Sequence, residues 1–262
     1  MEYIFHMFGA KKKQIDRLDF AIIGAQKSGT TALHYLLAKH PDITLGDQQE
    51  MHFFDDEGAF SASPDYDLLH RHFPAIRLSM IAGECTPSYL YWAPAAERLH
   101  QYNPRIKLIA LLRNPIDRAF AHWNMQRFKG REPLDFLAAL EEEQKRIAQP
   151  LSLEARRFSY VDRGFYTKQL ARFFGFFPRA QLKVIKFEDF RDGPQETLNA
   201  LFQFLGVNPP GHVHSKDRNV VPYEREMTPT ERRHLSEVFA EEIGKLEQLL
   251  GWDCADWKDL TR

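Results

Sequence analysis

The segment from Asp19 to Thr31 constrains the fold more than any other part of the chain. Asp19-Phe20-Ala21-Ile22-Ile23-Gly24 is a short apolar run ending in glycine, the pattern of a parallel strand buried on both faces. Ala25-Gln26-Lys27-Ser28-Gly29-Thr30-Thr31 follows as a turn. Residues 32–40 then read as a helix, with Leu33, Leu36 and Leu37 on one face and Pro41 as its stop. Strand, glycine-containing turn and helix open a βα unit. The turn also has the makings of an anion site. Gly29 permits a tight bend, Thr30 and Thr31 add hydroxyl donors at a helix N-terminus, and Lys27 supplies a point charge. The layout follows the logic of a P-loop but not its spelling, because Lys27 precedes Ser28-Gly29-Thr30-Thr31 instead of following the second glycine.

Three further strand-like runs lie at residues 80–82, 106–112 and 182–187. Helical patterns occupy 116–128, 134–147, 166–177, 195–205 and 229–250. Alternation of the two predicts an α/β fold with a mostly parallel central sheet. At 262 residues the chain suits one domain over 1–262, with residues 1–18, including Lys11, Lys12 and Lys13, as an N-terminal arm. Hydrophobic residues at 44% and charged residues at 27% exclude a disordered or fibrous chain. The net charge of −1 argues against bulk nucleic-acid binding. No apolar run approaches the roughly 18 residues of a membrane span. The two cysteines, Cys85 and Cys254, have neither metal-ligand nor disulfide-framework spacing, which favours a reducing compartment and no metal. Residues 46–65 and 206–227 are the least regular, and loops of that length are often functional.

A second junction of the same kind is Leu111-Leu112-Arg113-Asn114-Pro115-Ile116-Asp117-Arg118-Ala119-Phe120-Ala121-His122-Trp123. An arginine at the carboxyl end of a strand can bind a phosphate through two parallel hydrogen bonds, and Pro115 suits the first turn of a helix. Together, residues 24–31 and 111–123 resemble the 5′-phosphosulfate loop and the 3′-phosphate motif of sulfotransferases that use 3′-phosphoadenylyl sulfate. Gln49-Glu50-Met51-His52-Phe53-Phe54-Asp55 resembles the segment that carries the catalytic base in the heparan-sulfate branch of that family, with Glu50 at the base and His52 at its companion histidine. An extended segment would project Glu50 and His52 to the same side. Ser215-Lys216-Asp217-Arg218 resembles the late loop that closes over the cofactor.

The resemblance implies a three-layer α/β sandwich related to P-loop nucleotide kinases, and in-line sulfuryl transfer without a metal or a covalent intermediate. It implies Lys27, Ser28, Gly29, Thr30, Thr31, Arg113, Lys216 and Arg218 as cofactor-binding residues, and Glu50, Lys27 and His52 as catalytic ones. The acceptor would be a hydroxyl, with an amine as the alternative, on a carbohydrate or small molecule. The lack of a membrane anchor suggests a free-standing, bacterial-type enzyme of the cytoplasm. Two departures stand out: Ala121 replaces the usual serine eight residues after the arginine, and Cys85 replaces the active-site lysine of the heparan enzymes. The first removes a hydroxyl contact to the 3′-phosphate, and the second points to a small or weakly charged acceptor. Two other readings of the same residues are an ATP- and magnesium-dependent kinase, in which Glu188 and Asp189 would matter, and a nucleotide-binding module without catalysis.

Overall fold

A computed structural model describes residues 11–211 and 222–259. Its strands are β1 (Lys12–Lys13), β2 (Phe20–Gly24), β3 (Ile43–Leu45), β4 (Ile76–Arg77), β5 (Ile81–Cys85), β6 (Lys107–Leu112) and β7 (Leu182–Lys186). Its helices are α1 (Thr30–Leu37), α2 (Asp67–His70), α3 (Ala95–Tyr102), α4 (Pro115–Phe128), α5 (Phe136–Arg146), α6 (Leu153–Phe158), α7 (Tyr166–Phe176), α8 (Phe187–Asp192), α9 (Pro194–Leu205), α10 (Pro229–Leu250) and α11 (Ala255–Lys258). Five strands form one parallel sheet in the order β3-β5-β2-β6-β7.

Alternation along the strands sends side chains to two separate cores. Phe20 and Ile22 of β2 with Ile109 and Leu111 of β6 pack on Leu33, Leu36 and Leu37 of α1 and on Leu198, Leu201 and Phe202 of α9. Ala21, Ile23, Leu108, Ala110 and Leu112 face the opposite way, onto residues from α3, α4, α7 and α10. The result is the expected three-layer α/β sandwich. From β2 the chain leaves toward the β3 edge, and from β6 it leaves toward the β7 edge. These two neighbours therefore flank the topological switch point, and the crevice beyond their carboxyl ends is where such sheets bind ligands.

Differences from the sequence reading have local causes. Helix α1 stops at Leu37, three residues short of His40. Strand β3 is an edge strand of three residues, too short for a periodicity signal. Strand β5 runs past Ala82 through Gly83 and Glu84, which do not look strand-forming. Glycine is needed there because a Cβ on Gly83 would sit 2.3 Å from the Phe20 ring. Helices α2, α3, α6, α8 and α11 were not foreseen. In the described part of the N-terminal segment, Lys12 and Lys13 are exposed and pair with β4, while Ile15 and Leu18 are buried in the core. Among the described residues, no helix is long and apolar enough to cross a membrane.

Candidate active site

The glycine turn and the arginine junction meet. Residues 25–29 leave the carboxyl end of β2 and Arg113 leaves that of β6, on the same edge of adjacent strands. The amide of Ala25 donates to the Leu111 carbonyl at 2.6 Å, and Arg113 Nη1 donates to the Lys27 carbonyl at 3.3 Å. Gly29 is the N-cap of α1 at φ 85°, and no side chain caps that helix. The first amides of a helix have no intrahelical acceptor, so this end presents free donors and the positive end of the helix dipole. A Cβ on Gly29 would lie 2.8 Å from the Phe187 ring, so glycine is required by space as well as by φ. The Arg113 guanidinium in turn lies over Phe187, 5.3 Å from the ring centroid, and its carbonyl accepts from Tyr166 Oη at 2.9 Å. Asn114 caps α4 by accepting from the Ile116 amide at 3.0 Å, with Pro115 in the first turn as its sequence suggests.

Ser28 and Thr30 are buried, and Lys27 is half-buried. Burial lowers the Lys27 pKa, and the Arg113 and Lys129 charges lower it further against the opposing pull of Glu50. The Arg113 and Lys129 charges beside the Lys27 ammonium gather cations around this turn, which suits an anion.

Glu50 and His52 stand beside this turn. The Glu50 amide donates to the Cys85 carbonyl at 3.0 Å, which fixes it at the end of β5, and the His52 amide donates to Thr86 Oγ1 at 3.4 Å. The segment is not extended. Glu50 and His52 both have φ of 56°, in the left-handed region. Their side chains nevertheless converge, with His52 Nε2 3.7 Å from Glu50 Oε2. Among the described residues, the non-glycine positions with positive φ are Lys27, Glu50, His52 and Leu151, so three of the four are residues the sequence had singled out. Each costs on the order of 1–3 kcal/mol and persists only where surrounding contacts impose it.

Behind His52 lies a polar cluster. The buried Asp55 carboxylate accepts from His52 Nδ1 at 3.0 Å, from Arg156 Nη1 at 2.8 Å and from Ser88 Oγ. Burial alone would lower the His52 pKa, but the Asp55 and Glu50 carboxylates raise it to about 9. Burial would raise Asp55, yet its bonds to His52 and Ser88 and the Arg156 charge hold it below the usual range. At neutral pH the cluster is thus a carboxylate bound to an imidazolium, which in turn faces Glu50. Glu84, one residue before Cys85, is fully buried and pushed up to about 7 by that burial, and accepts from Thr86 Oγ1 at 2.8 Å.

Cys85 itself is buried, with Sγ 3.8 Å from the Thr30 carbonyl, and Ala121 is buried in α4. Glu188 is buried in the first turn of α8, and its pKa is raised by burial. Lys216 and Arg218 lie outside the described residues. Among the described residues, no group of three or more His, Cys, Asp or Glu is placed to hold a metal ion. Sequence reasoning gave no role to Asp55, Ser88 or Arg156. Asp55 stands three residues after His52, a local hint. Arg156 is 101 residues further along the chain, on a helix that carries no motif.

Comparison with known proteins gives the family. The profile of the family described as "Sulfotransferase family" matches residues 19–210. The chain is 30% identical over 208 residues to human bifunctional heparan sulfate N-deacetylase/N-sulfotransferase 2, covering 76% of this chain and 23% of that protein. It is 27% identical over 213 residues to human heparan sulfate glucosamine 3-O-sulfotransferase 5, covering 78% and 60%. A sulfotransferase from Alicyclobacillus acidocaldarius superposes with a TM-score of 0.81 at 32% identity, over 94% of this chain and all of that one. Mouse sulfotransferase SULT7A1, solved with PAP, shares the fold with a TM-score of 0.52 at 18% identity, over 86% and 84%. The chain belongs to the sulfotransferase family and is an enzyme of that class. It spans about a quarter of the human N-deacetylase/N-sulfotransferase it matches.

Proposed function

We propose that this enzyme transfers the sulfuryl group of 3′-phosphoadenylyl sulfate in line to an acceptor, with Glu50 as base. The observation that carries the reading is the contact between the two turns: Arg113 touches the backbone of Lys27, so one small molecule can engage both. The donor fits the residues present. The uncapped start of α1, with Ser28, Gly29, Thr30, Thr31 and the Lys27 ammonium, takes the 5′-phosphosulfate. Arg113, fixed by its stack on Phe187, takes the 3′-phosphate. Ala121 offers no hydroxyl there, which leaves a larger share of the 3′-phosphate to Arg113. Lys216 and Arg218 are assigned to closing over the donor on resemblance alone.

Glu50 accepts the acceptor proton as its oxygen bonds to sulfur, and the sulfur–oxygen bond to the phosphate breaks. The electron pair remains on the departing phosphate, where Lys27 and the helix amides stabilise the added charge. His52 is charged at neutral pH and is therefore not the base. It holds Glu50 in place, with Nε2 3.7 Å from Oε2. The acceptor is a hydroxyl of a carbohydrate or small molecule. An amine is the second reading, because one relative is named an N-sulfotransferase and another a 3-O-sulfotransferase. A buried Cys85 at the lysine position places no cation there, which fits a weakly charged acceptor. The unpaired, buried Cys85 and Cys254 suit the reducing cytoplasm.

The test is labelled-sulfate transfer to a panel of p-nitrophenol, glucosamine and de-N-sulfated heparin oligosaccharide. Glu50→Gln should lower kcat by about 10²–10⁴-fold with donor affinity kept. An unchanged rate on a good acceptor removes Glu50 from the mechanism.

A further inference from the structure

The loop that carries the proposed base ends in a carboxylate that is buried completely and held from outside its own segment. Asp55 is 0% exposed. Arg156, on α6, meets it twice: Nη1 donates to Oδ2 at 2.8 Å, and Nη2 donates to the Asp55 backbone carbonyl. The same Nη1 lies 3.2 Å from His52 Nδ1, so histidine and arginine face one carboxylate oxygen together. Arg156 is itself fixed. Its guanidinium lies over the Trp92 ring, 4.4 Å from the centroid, and its carbonyl accepts from Arg163 Nη2 at 2.7 Å. Ser152 caps α6 by accepting from the Ala155 amide at 3.0 Å, so the helix that presents the arginine is anchored at its start.

We infer that Arg156 is a positioning residue for sulfuryl transfer. Its planar fork fixes both the side chain and the backbone of Asp55. Asp55 then fixes the Nδ1–H of His52, and the ring is left with Nε2 toward Glu50. This inference rests on the reading of Glu50 as base. A lysine could match the charge of Arg156 but not its two parallel bonds. Without Arg156, Asp55 keeps His52 and Ser88 as donors but loses the guanidinium that ties its carbonyl, and the imidazole can tilt away from Glu50. Arg156 touches neither turn of the proposed donor site in the contacts described, so donor binding should not depend on it.

The test is a double-mutant cycle. Wild type, Arg156→Gln, Arg156→Lys, His52→Gln and the Arg156→Gln/His52→Gln pair are compared. The readouts are labelled-sulfate transfer from 3′-phosphoadenylyl sulfate to whichever acceptor of the panel above wild type sulfates fastest, and calorimetry with 3′-phosphoadenosine 5′-phosphate. Arg156→Gln should lower kcat about 10- to 100-fold, the equivalent of one charge-assisted hydrogen bond. The calorimetric Kd should stay within about twofold, and Arg156→Lys should recover part of the rate. In the His52→Gln background, Arg156→Gln should cost less than about twofold, because its effect passes through His52. A full, additive loss in that background, or a parallel fall in donor affinity, overturns the inference. Glu50→Gln runs beside the cycle. If it lowers the rate while Arg156→Gln does not, the positioning role fails and the base stands; if it leaves the rate unchanged, the base assignment fails.

Discussion

Replacing His52 by glutamine should remove a pH-dependent share of stability. The His52 pKa rises from an ordinary 6.5 to about 9 in the folded chain. A histidine whose folded pKa is raised stabilises fully below about 6.5, and this contribution is lost as pH rises through 9. At ~1.4 kcal/mol per pH unit, the difference between 6.5 and about 9 sets an upper bound of about 3–4 kcal/mol. The side chain is 40% exposed, so solvent screening reduces the expected figure to roughly 1–2 kcal/mol. Urea unfolding of wild type and His52→Gln at pH 6, 7.5 and 10 measures it. The stability gap should be largest at pH 6 and narrow by roughly that amount at pH 10, which cancels the contributions of other titrating groups common to both proteins. A gap that is independent of pH, or widens toward pH 10, would refute the claim that Asp55 and Glu50 hold a charged imidazole between them.

Two further changes probe the turns and their neighbour. Gly29→Ala should cost about 1–2 kcal/mol for a left-handed alanine, and more for its collision with Phe187. Because Phe187 supports Arg113, chemical denaturation should show the loss and calorimetry a weaker hold on 3′-phosphoadenosine 5′-phosphate. Cys85 is buried, and its thiol is raised well above the ordinary range by that burial, so it should resist iodoacetamide at pH 8 until the protein unfolds. Mass spectrometry decides this, and rapid modification of the native protein would contradict the buried placement.

What the sequence disclosed follows physical lines. The β2–α1 unit was legible because a doubly buried strand, a glycine at positive φ and a leucine stripe each leave a residue-level mark. The α4 junction was legible for the same reason, through Pro115 and the arginine before it. The 49–55 segment disclosed its chemistry but not its shape. A left-handed Glu50 or His52 has no signature in composition, since tertiary bonds to Cys85 and Thr86 impose it. The Asp55 cluster stayed hidden for a related reason. Arg156 sits in a short helix without strong periodicity, and nothing local announces a contact across 101 residues. Strand β3 was missed because three residues at a sheet edge carry too little pattern to distinguish from loop.

The central claim is that the turns around Lys27 and Arg113 hold one doubly phosphorylated adenosine. Calorimetry of 3′-phosphoadenosine 5′-phosphate against wild type, Lys27→Ala and Arg113→Ala tests it most directly. Each variant should bind about 10- to 100-fold more weakly, as expected for the loss of a charge-assisted contact. Removal of the 3′-phosphate from the ligand should erase most of the Arg113→Ala effect and little of the Lys27→Ala effect. Wild-type affinity in both variants would contradict the account.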